Sequence, residues 1–426
     1  MQWSSLIVLA ALAGAAQGQE SVDGAWRAWL DSPGGDLAFG LELHGAAGER
    51  HATIVNGPER IEADSSLRDG ELTIDFPHYD SRIVAHLIAD GARLDGTWRK
   101  RRSADAWVEM KFHAARGPAP VSIPSGLPPD TSPAELARMR AMNTHAVARR
   151  YSVRFSSSDE PAVAILNDGP EGLCGTFLTT TGDYRYLAGD TSGILDQEFA
   201  LSCFDGAHAF LFKARVLVSE EAPDPILGLE GDFWSGDRWH ETWTATPDPT
   251  AALPDGFTLT HATRAVTLDD LVFPDLDGTP RRLSDPQFAG KARLIEVFGS
   301  WCPNCADEAD ELVRLQKEFG ARGLTIIGLA FEVTGDHARD AEQVRRYAAR
   351  HGVTWPLLVA GLADKDKATA SLGLLDKVRA FPTTIFLDEQ GKVRAVYTGF
   401  SGPATGAAYT EQHAEFVRVI EGLLGP

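Results

Sequence analysis

The chain has 426 residues, a formal charge of -20 and a pI near 5.0. Such acidity argues against the phosphate backbone of nucleic acid as a partner, because binding it needs a basic surface. The length exceeds one ordinary core and calls for two or three domains, while the 12 histidines form no HxxxH or His/Cys cluster, so no metal site is expected.

The first 18 residues read MQWSSLIVLAALAGAAQG. Residues 6–16 are an apolar, small-residue run with the length of a signal-peptide core, too short to span a bilayer, although no Lys or Arg precedes it. Residues 1–18 are therefore expected to be a signal peptide, and the mature chain to lie in the periplasm or otherwise outside the cytoplasm in the cell envelope, with no transmembrane segment. There cysteines can be oxidised.

Residues 19–116 read as a β-rich domain or half-barrel: ATIVNG, GELTIDF and RIVAHLIAD alternate apolar and polar residues between Gly, Asp and Asn breaks. Residues 117–148 read as a Pro-rich linker with a short helix from 133. Residues 149–246 are a second β-rich domain or half-barrel, with YSVRF, PAVAIL, CGTFLTT, FALSCF and HAFLFKARVLV as strands. The two regions look like copies of one theme. Asn56-Gly-Pro-Glu59 matches Asn167-Asp-Gly-Pro-Glu171, and Leu94-Asp-Gly-Thr-Trp98 matches Leu229-Glu-Gly-Asp-Phe-Trp234. Two copies could be the halves of one antiparallel barrel or sandwich, whose closure removes exposed edges.

A second linker, 247–257, precedes a different pattern over 258–426. An apolar strand at 294–298 leads into a helix from about 302 to 319, followed by a strand at 324–331, a helix at 340–351, a strand at 355–359, a short helix, a hairpin over 383–398 and a closing helix at 410–424. That succession predicts an α/β domain with a mixed sheet. The fold class is thus multidomain, all-β followed by α/β.

Trp301-Cys302-Pro303-Asn304-Cys305 sits between that first strand and helix. A zinc site would need two more ligands at suitable spacing, and a static disulfide closing so small a loop would constrain the unfolded chain little. The pair is read as a redox-active dithiol, with no cofactor beyond this internal disulfide. At a helix N-terminus, unpaired N–H groups and the dipole favour a Cys302 thiolate as attacker, and Cys305 one turn on resolves the mixed disulfide. Pro303 pre-sets the helical φ, Asn304 keeps a backbone N–H, and Trp301 shapes the surface around Cys302. Alternation puts Glu296 on a strand covered on both faces, where a buried carboxyl suits proton transfer with Cys305. Glu308, three residues beyond Cys305, shares its side of the helix. Cys174 and Cys203, both in strand-like segments, are read as a structural disulfide between adjacent strands; two buried thiols or a second redox pair are the alternatives.

The region from about 258 resembles the thioredoxin fold, and more closely the TlpA/ResA-like thiol-disulfide oxidoreductases of bacterial cell envelopes. The resemblance rests on Phe273-Pro-Asp-Leu-Asp-Gly-Thr279, Gly290-Lys291, Trp301-Cys-Pro-Asn-Cys305 and Phe381-Pro-Thr-Thr-Ile-Phe-Leu-Asp388, and covers roughly two-fifths of the chain. It implies that Cys302 is the nucleophile and Cys305 the resolving thiol, that Pro382 is a cis proline facing them, and that Phe381 lends backbone groups to a substrate peptide. Glu296 and Glu308 fall at the family's acidic positions. Asn304 departs from a second proline often found there. The implied activity is exchange with protein thiols and disulfides, weighted toward reduction and fed by a membrane-bound electron donor or acceptor. Two other readings compete: a β module that binds a ligand or protein with the redox domain as accessory, and a peroxiredoxin-like peroxide reductase.

Overall fold

The computed structural model describes residues 22–46, 49–88, 91–117, 132–169, 172–190, 197–219, 221–222, 224–263 and 266–425. The expected signal peptide and most of the Pro-rich linker, 118–131, lie outside the described residues.

Eight antiparallel strands follow one another from Gly24–Ser32 to Trp107–Arg116, and the last pairs with the first to close a barrel. Period-2 alternation turns Trp26, Ala28 and Leu30 of the first strand inward. A second closed ring follows. It runs from Arg150–Phe155 to Trp239–Pro247, which pair with each other, and the short Gly182–Asp183 strand hangs off Gly172–Thr179. Its interior is filled by aromatic rings: Phe212 stacks between Phe177 and Phe233, with centroids 4.3 Å away on each side, and Trp243 meets Phe177 edge-on.

Each β region therefore closes on itself, and neither is half of a shared barrel. The half-barrel alternative undercounted strands. Glu59–Arg68 (ERIEADSSLR) pairs on both sides, yet only Ala63 is buried, so its sequence shows almost no apolar alternation. The repeat is real in one place. Gly96 and Gly231 both lie in the seventh strand of their barrel, and a Cβ on either would fall about on the sixth strand's backbone, 2.0 Å from Val84 O and 1.9 Å from Lys213 O. The Asn-Gly-Pro-Glu likeness fails: it joins the third and fourth strands in the first barrel but the second and third in the second.

The barrels share a core. Phe204 of the second enters the first, stacking on Phe39 (4.6 Å) and meeting Trp98 edge-on at 5.4 Å. Asn56 of the first, fully buried, receives the Phe204 N–H and donates to its carbonyl, satisfying backbone groups that this insertion would otherwise strand.

The C-terminal region is α/β. Its five strands run in the order Leu357–Leu362, Leu324–Glu332, Ala292–Phe298, Thr383–Asp388, Val393–Thr398, with the first three parallel and the last two antiparallel. Ala292–Phe298 is central and buried at every position, as a strand covered on both faces must be. The helix Pro303–Phe319 buries Leu312, Leu315 and Phe319 on that sheet.

Candidate active site

The central strand ends at Phe298, and the chain turns through Gly299 and Ser300 into the helix that begins at Pro303. Cys302 is that helix's N-cap: its Sγ accepts the Cys305 N–H at 3.3 Å and donates to Phe381 O at 3.4 Å. The Phe381–Pro382 bond is cis. Cys302 is 6% exposed and Cys305 fully buried. Burial, followed by the nearness of Cys302, pushes the Cys305 thiol well above its ordinary range. The Trp301 indole donates to Phe331 O at 2.9 Å and packs edge-on against Phe381.

Behind the cysteines lie two buried carboxyls. Glu296 has no hydrogen-bond partner for either oxygen among the described residues; burial, then Glu308 and Cys302, drive its carboxyl far up. Thr384 sits opposite Glu296 in the sheet register, and its hydroxyl donates to Glu308 Oε1 at 2.5 Å. Burial raises Glu308 to about 8. The strand and the helix thus bring Glu296, Thr384 and Glu308 together beneath the dithiol. Two like charges so placed disfavour each other, so the pair holds a proton near neutrality.

A third buried acid escaped the sequence reading. Glu332 ends its strand 1% exposed, accepting the Ser300 N–H at 2.8 Å and the Ser300 hydroxyl at 2.6 Å; burial raises it to about 7. It clamps the turn that presents Trp301 and Cys302. A carboxylate closing an apolar strand (LTIIGLAFE) reads as the start of a loop, so only the tertiary contact reveals it.

The barrels also reach this site. Asn304 Nδ2 donates to Asp183 O at 3.2 Å, and Gly402 N–H donates to the Asp183 carboxylate. Arg185 takes a left-handed backbone conformation (φ 62°) and is 8% exposed; it pairs with Asp307 of the redox helix, with Glu59 of the first barrel at 3.0 Å and with Asp205 at 3.5 Å. Burial raises the Glu59 and Asp183 carboxyls even beside that guanidinium. The turn Pro77–Tyr79 rests on the helix His337–His351, where Gln343 donates to Pro77 O and His78 O. No sequence signal announced these contacts, which, apart from Arg185–Asp205, join residues more than a hundred positions apart.

Cys174 and Cys203 are not bonded to each other, contrary to the expected disulfide. Cys174 pairs across its strand with Ala188, and Ala188 pairs with Ser202, so Cys174 and Ser202 share one face of the sheet. Cys203, one residue on, points the other way into the barrel core, and a whole strand separates the two cysteines.

Among the described residues no helix is long and apolar enough to cross a membrane, and no group of three or more His, Cys, Asp or Glu side chains is placed to hold a metal.

The family model described as Redoxin matches residues 257–411. ResA, a thiol-disulfide oxidoreductase of Geobacillus thermodenitrificans, is 28% identical over 133 residues, 31% of this chain and 68% of that protein. The thioredoxin-like protein YneN of Bacillus subtilis is 28% identical over 130 residues, 30% of this chain and 68% of its own length. The thiol:disulfide interchange protein DsbE of Pseudomonas aeruginosa is 30% identical over 126 residues, 30% of this chain and 61% of its own. The C-terminal region of this chain thus matches the Redoxin family model and is similar to the thiol-disulfide oxidoreductases ResA and DsbE.

Proposed function

We propose that this chain is an extracytoplasmic enzyme that exchanges disulfides with protein substrates through Cys302 and Cys305, in the reducing direction. The observation that carries the reading is the arrangement of the two thiols: Cys302 caps a helix N-terminus with its sulfur toward the Cys305 N–H, and Cys305 lies buried behind it above Glu296 and Glu308. The apolar run at 6–16 and the ResA and DsbE likenesses support an envelope location.

In this reading the Cys302 thiolate attacks one sulfur of a substrate disulfide. An S–S bond forms between enzyme and substrate, and the other substrate sulfur leaves as a thiolate that takes up a proton. Cys305 then gives its proton to the Glu296/Glu308 pair and attacks the Cys302 sulfur. The substrate's second thiolate departs, and the enzyme holds a Cys302–Cys305 disulfide. Two electrons from a membrane-bound thiol donor return it to the dithiol. Proton transfer is eased because burial raises the Cys305 thiol and the carboxyls together. Trp301, Asn304 and Phe381 form the surface a substrate meets, Pro303 sets the helix start and Pro382 faces the sulfurs.

A Cys305→Ser variant tests the reading. It should accumulate mixed disulfides with envelope proteins, whereas Cys302→Ser should accumulate none and lose insulin reduction. Equal trapping by both variants would overturn it. Peroxide consumption that survives in Cys305→Ser would instead favour the peroxide-reducing reading.

A further inference from the structure

Lys100 lies near the end of the Arg93–Arg101 strand, paired on both sides within the first barrel, and its side chain reaches out to the other two parts of the chain. Its Nζ donates to Ala207 O of the second barrel at 3.1 Å and to Trp301 O of the redox loop at 3.3 Å. Both are neutral carbonyls. They satisfy donors but do not neutralise a charge. Among the described residues no carboxylate lies within ion-pair distance of this ammonium; the nearby Asp205 is engaged with Arg185 and His208. Burial pulls Lys100 down to about 8, against the opposing pull of Asp205 and Cys302.

The residue after the carbonyl that Lys100 holds is Cys302. Titratable groups near enough to feel the charge of Cys302 come from several elements: Tyr79 and Lys100 from the first barrel, Glu296 from the central strand, Cys305 from the redox helix, Tyr347 and Lys365 from the two helices beyond. Two of them are cations. Lys365 is solvent-exposed, where screening weakens its field. Lys100 is fixed in the seam between the three parts of the chain.

We propose that Lys100 is a positioning residue for the redox step, a cation supplied by the first barrel that fixes the Trp301 carbonyl and acts as counter-ion to the Cys302 thiolate. The inference rests on the oxidoreductase reading and adds a role for the barrels: the reactivity of the thiol depends on their being docked. Removing the charge destabilises the thiolate and so the reduced state, which makes the couple more reducing and the thiol slower near neutral pH.

The test is the pH dependence of iodoacetamide alkylation at Cys302, followed by mass spectrometry on the full-length reduced protein. Lys100→Gln keeps a donor for the carbonyls and loses the charge. Its alkylation midpoint should move up by about one pH unit, an about tenfold slower reaction below the midpoint. Lys100→Arg should stay near the wild type, and Lys365→Met should move it less than Lys100→Gln. An unmoved midpoint in folded Lys100→Gln, or an equal shift in Lys365→Met, overturns the proposal. Should Lys100→Gln not fold, the wild type answers by reciprocity: the Lys100 ammonium, titrated by NMR, must fall when Cys302 carries a neutral carbamidomethyl group, and an unchanged titration overturns the proposal. Insulin reduction by the wild type separates this outcome from failure of the oxidoreductase reading itself.

Discussion

Asn304, inside the Cys302–Cys305 motif, donates its side-chain amide to the backbone carbonyl of Asp183 in the second barrel, 3.2 Å away. The residue that departs from the family's frequent proline is thus a docking residue, because a proline has no side-chain donor. The contact is close: Gly182 has φ 141°, and a Cβ there would lie 2.0 Å from the Asn304 amide nitrogen.

Gly182→Val should therefore lift the 180–183 turn from the redox helix. We predict that Cys302 in this variant reacts about tenfold faster with a polyethylene-glycol maleimide, the equivalent of about 1.4 kcal/mol of easier opening, while small iodoacetamide gains less. Equal gains for both reagents would show that the turn does not limit access.

Arg185 joins Asp307, Glu59 and Asp205 across all three parts of the chain. Arg185→Met leaves three carboxylates without their common counter-ion, so the loss in stability should be about 3–5 kcal/mol. Urea unfolding followed by tryptophan fluorescence measures it; a midpoint unchanged from wild type would mean that the cluster contributes nothing net.

Glu308 is raised to about 8 and Glu332 to about 7 by burial. A carboxyl whose folded value lies above its unfolded one makes the native state the better proton binder between the two. The stability it contributes is complete at acid pH and is lost as pH rises through that window, approaching about 1.4 kcal/mol per pH unit for each group. Thermal melts from pH 5 to 8 should fall for the wild type and fall less steeply for Glu308→Gln. Parallel curves would contradict the assignment.

Glu332 bonds both the N–H and the hydroxyl of Ser300. Glu332→Ala leaves that N–H buried and unpaired, at about 1–3 kcal/mol. Insulin reduction should drop because the Cys302 turn loosens, and Glu332→Gln, which keeps an acceptor, should recover part of it. Equal loss in both would assign Glu332 to folding alone.

Local chemistry made the redox domain legible. The apolar run ending at Phe298, the cysteines opening a helix and the hairpin over 383–398 are signals carried by adjacent residues, and the strands and helices appear where they predict. Glu296 was legible because an acid in an apolar strand stands out. The barrels were legible as β structure but not as two closed rings, since strands such as Glu59–Arg68 turn mostly polar residues outward. The seam was not legible at all. Lys100, Arg185 and Glu332 look like ordinary surface charges in sequence, and only chain packing buries Arg185 and Glu332 and partly covers Lys100. The Cys174/Cys203 expectation failed because strand membership was inferred without register, and one residue of register reverses the face.

The most direct measurement is a redox titration of the full-length protein in dithiothreitol buffers, with acid quenching, alkylation and mass mapping of the cysteines. The account predicts one reversible two-electron transition confined to Cys302 and Cys305, at a potential on the reducing side of the scale. Thiols at 302 and 305 that stay open across the whole range, or an oxidised form that links either to Cys174 or Cys203, would contradict it.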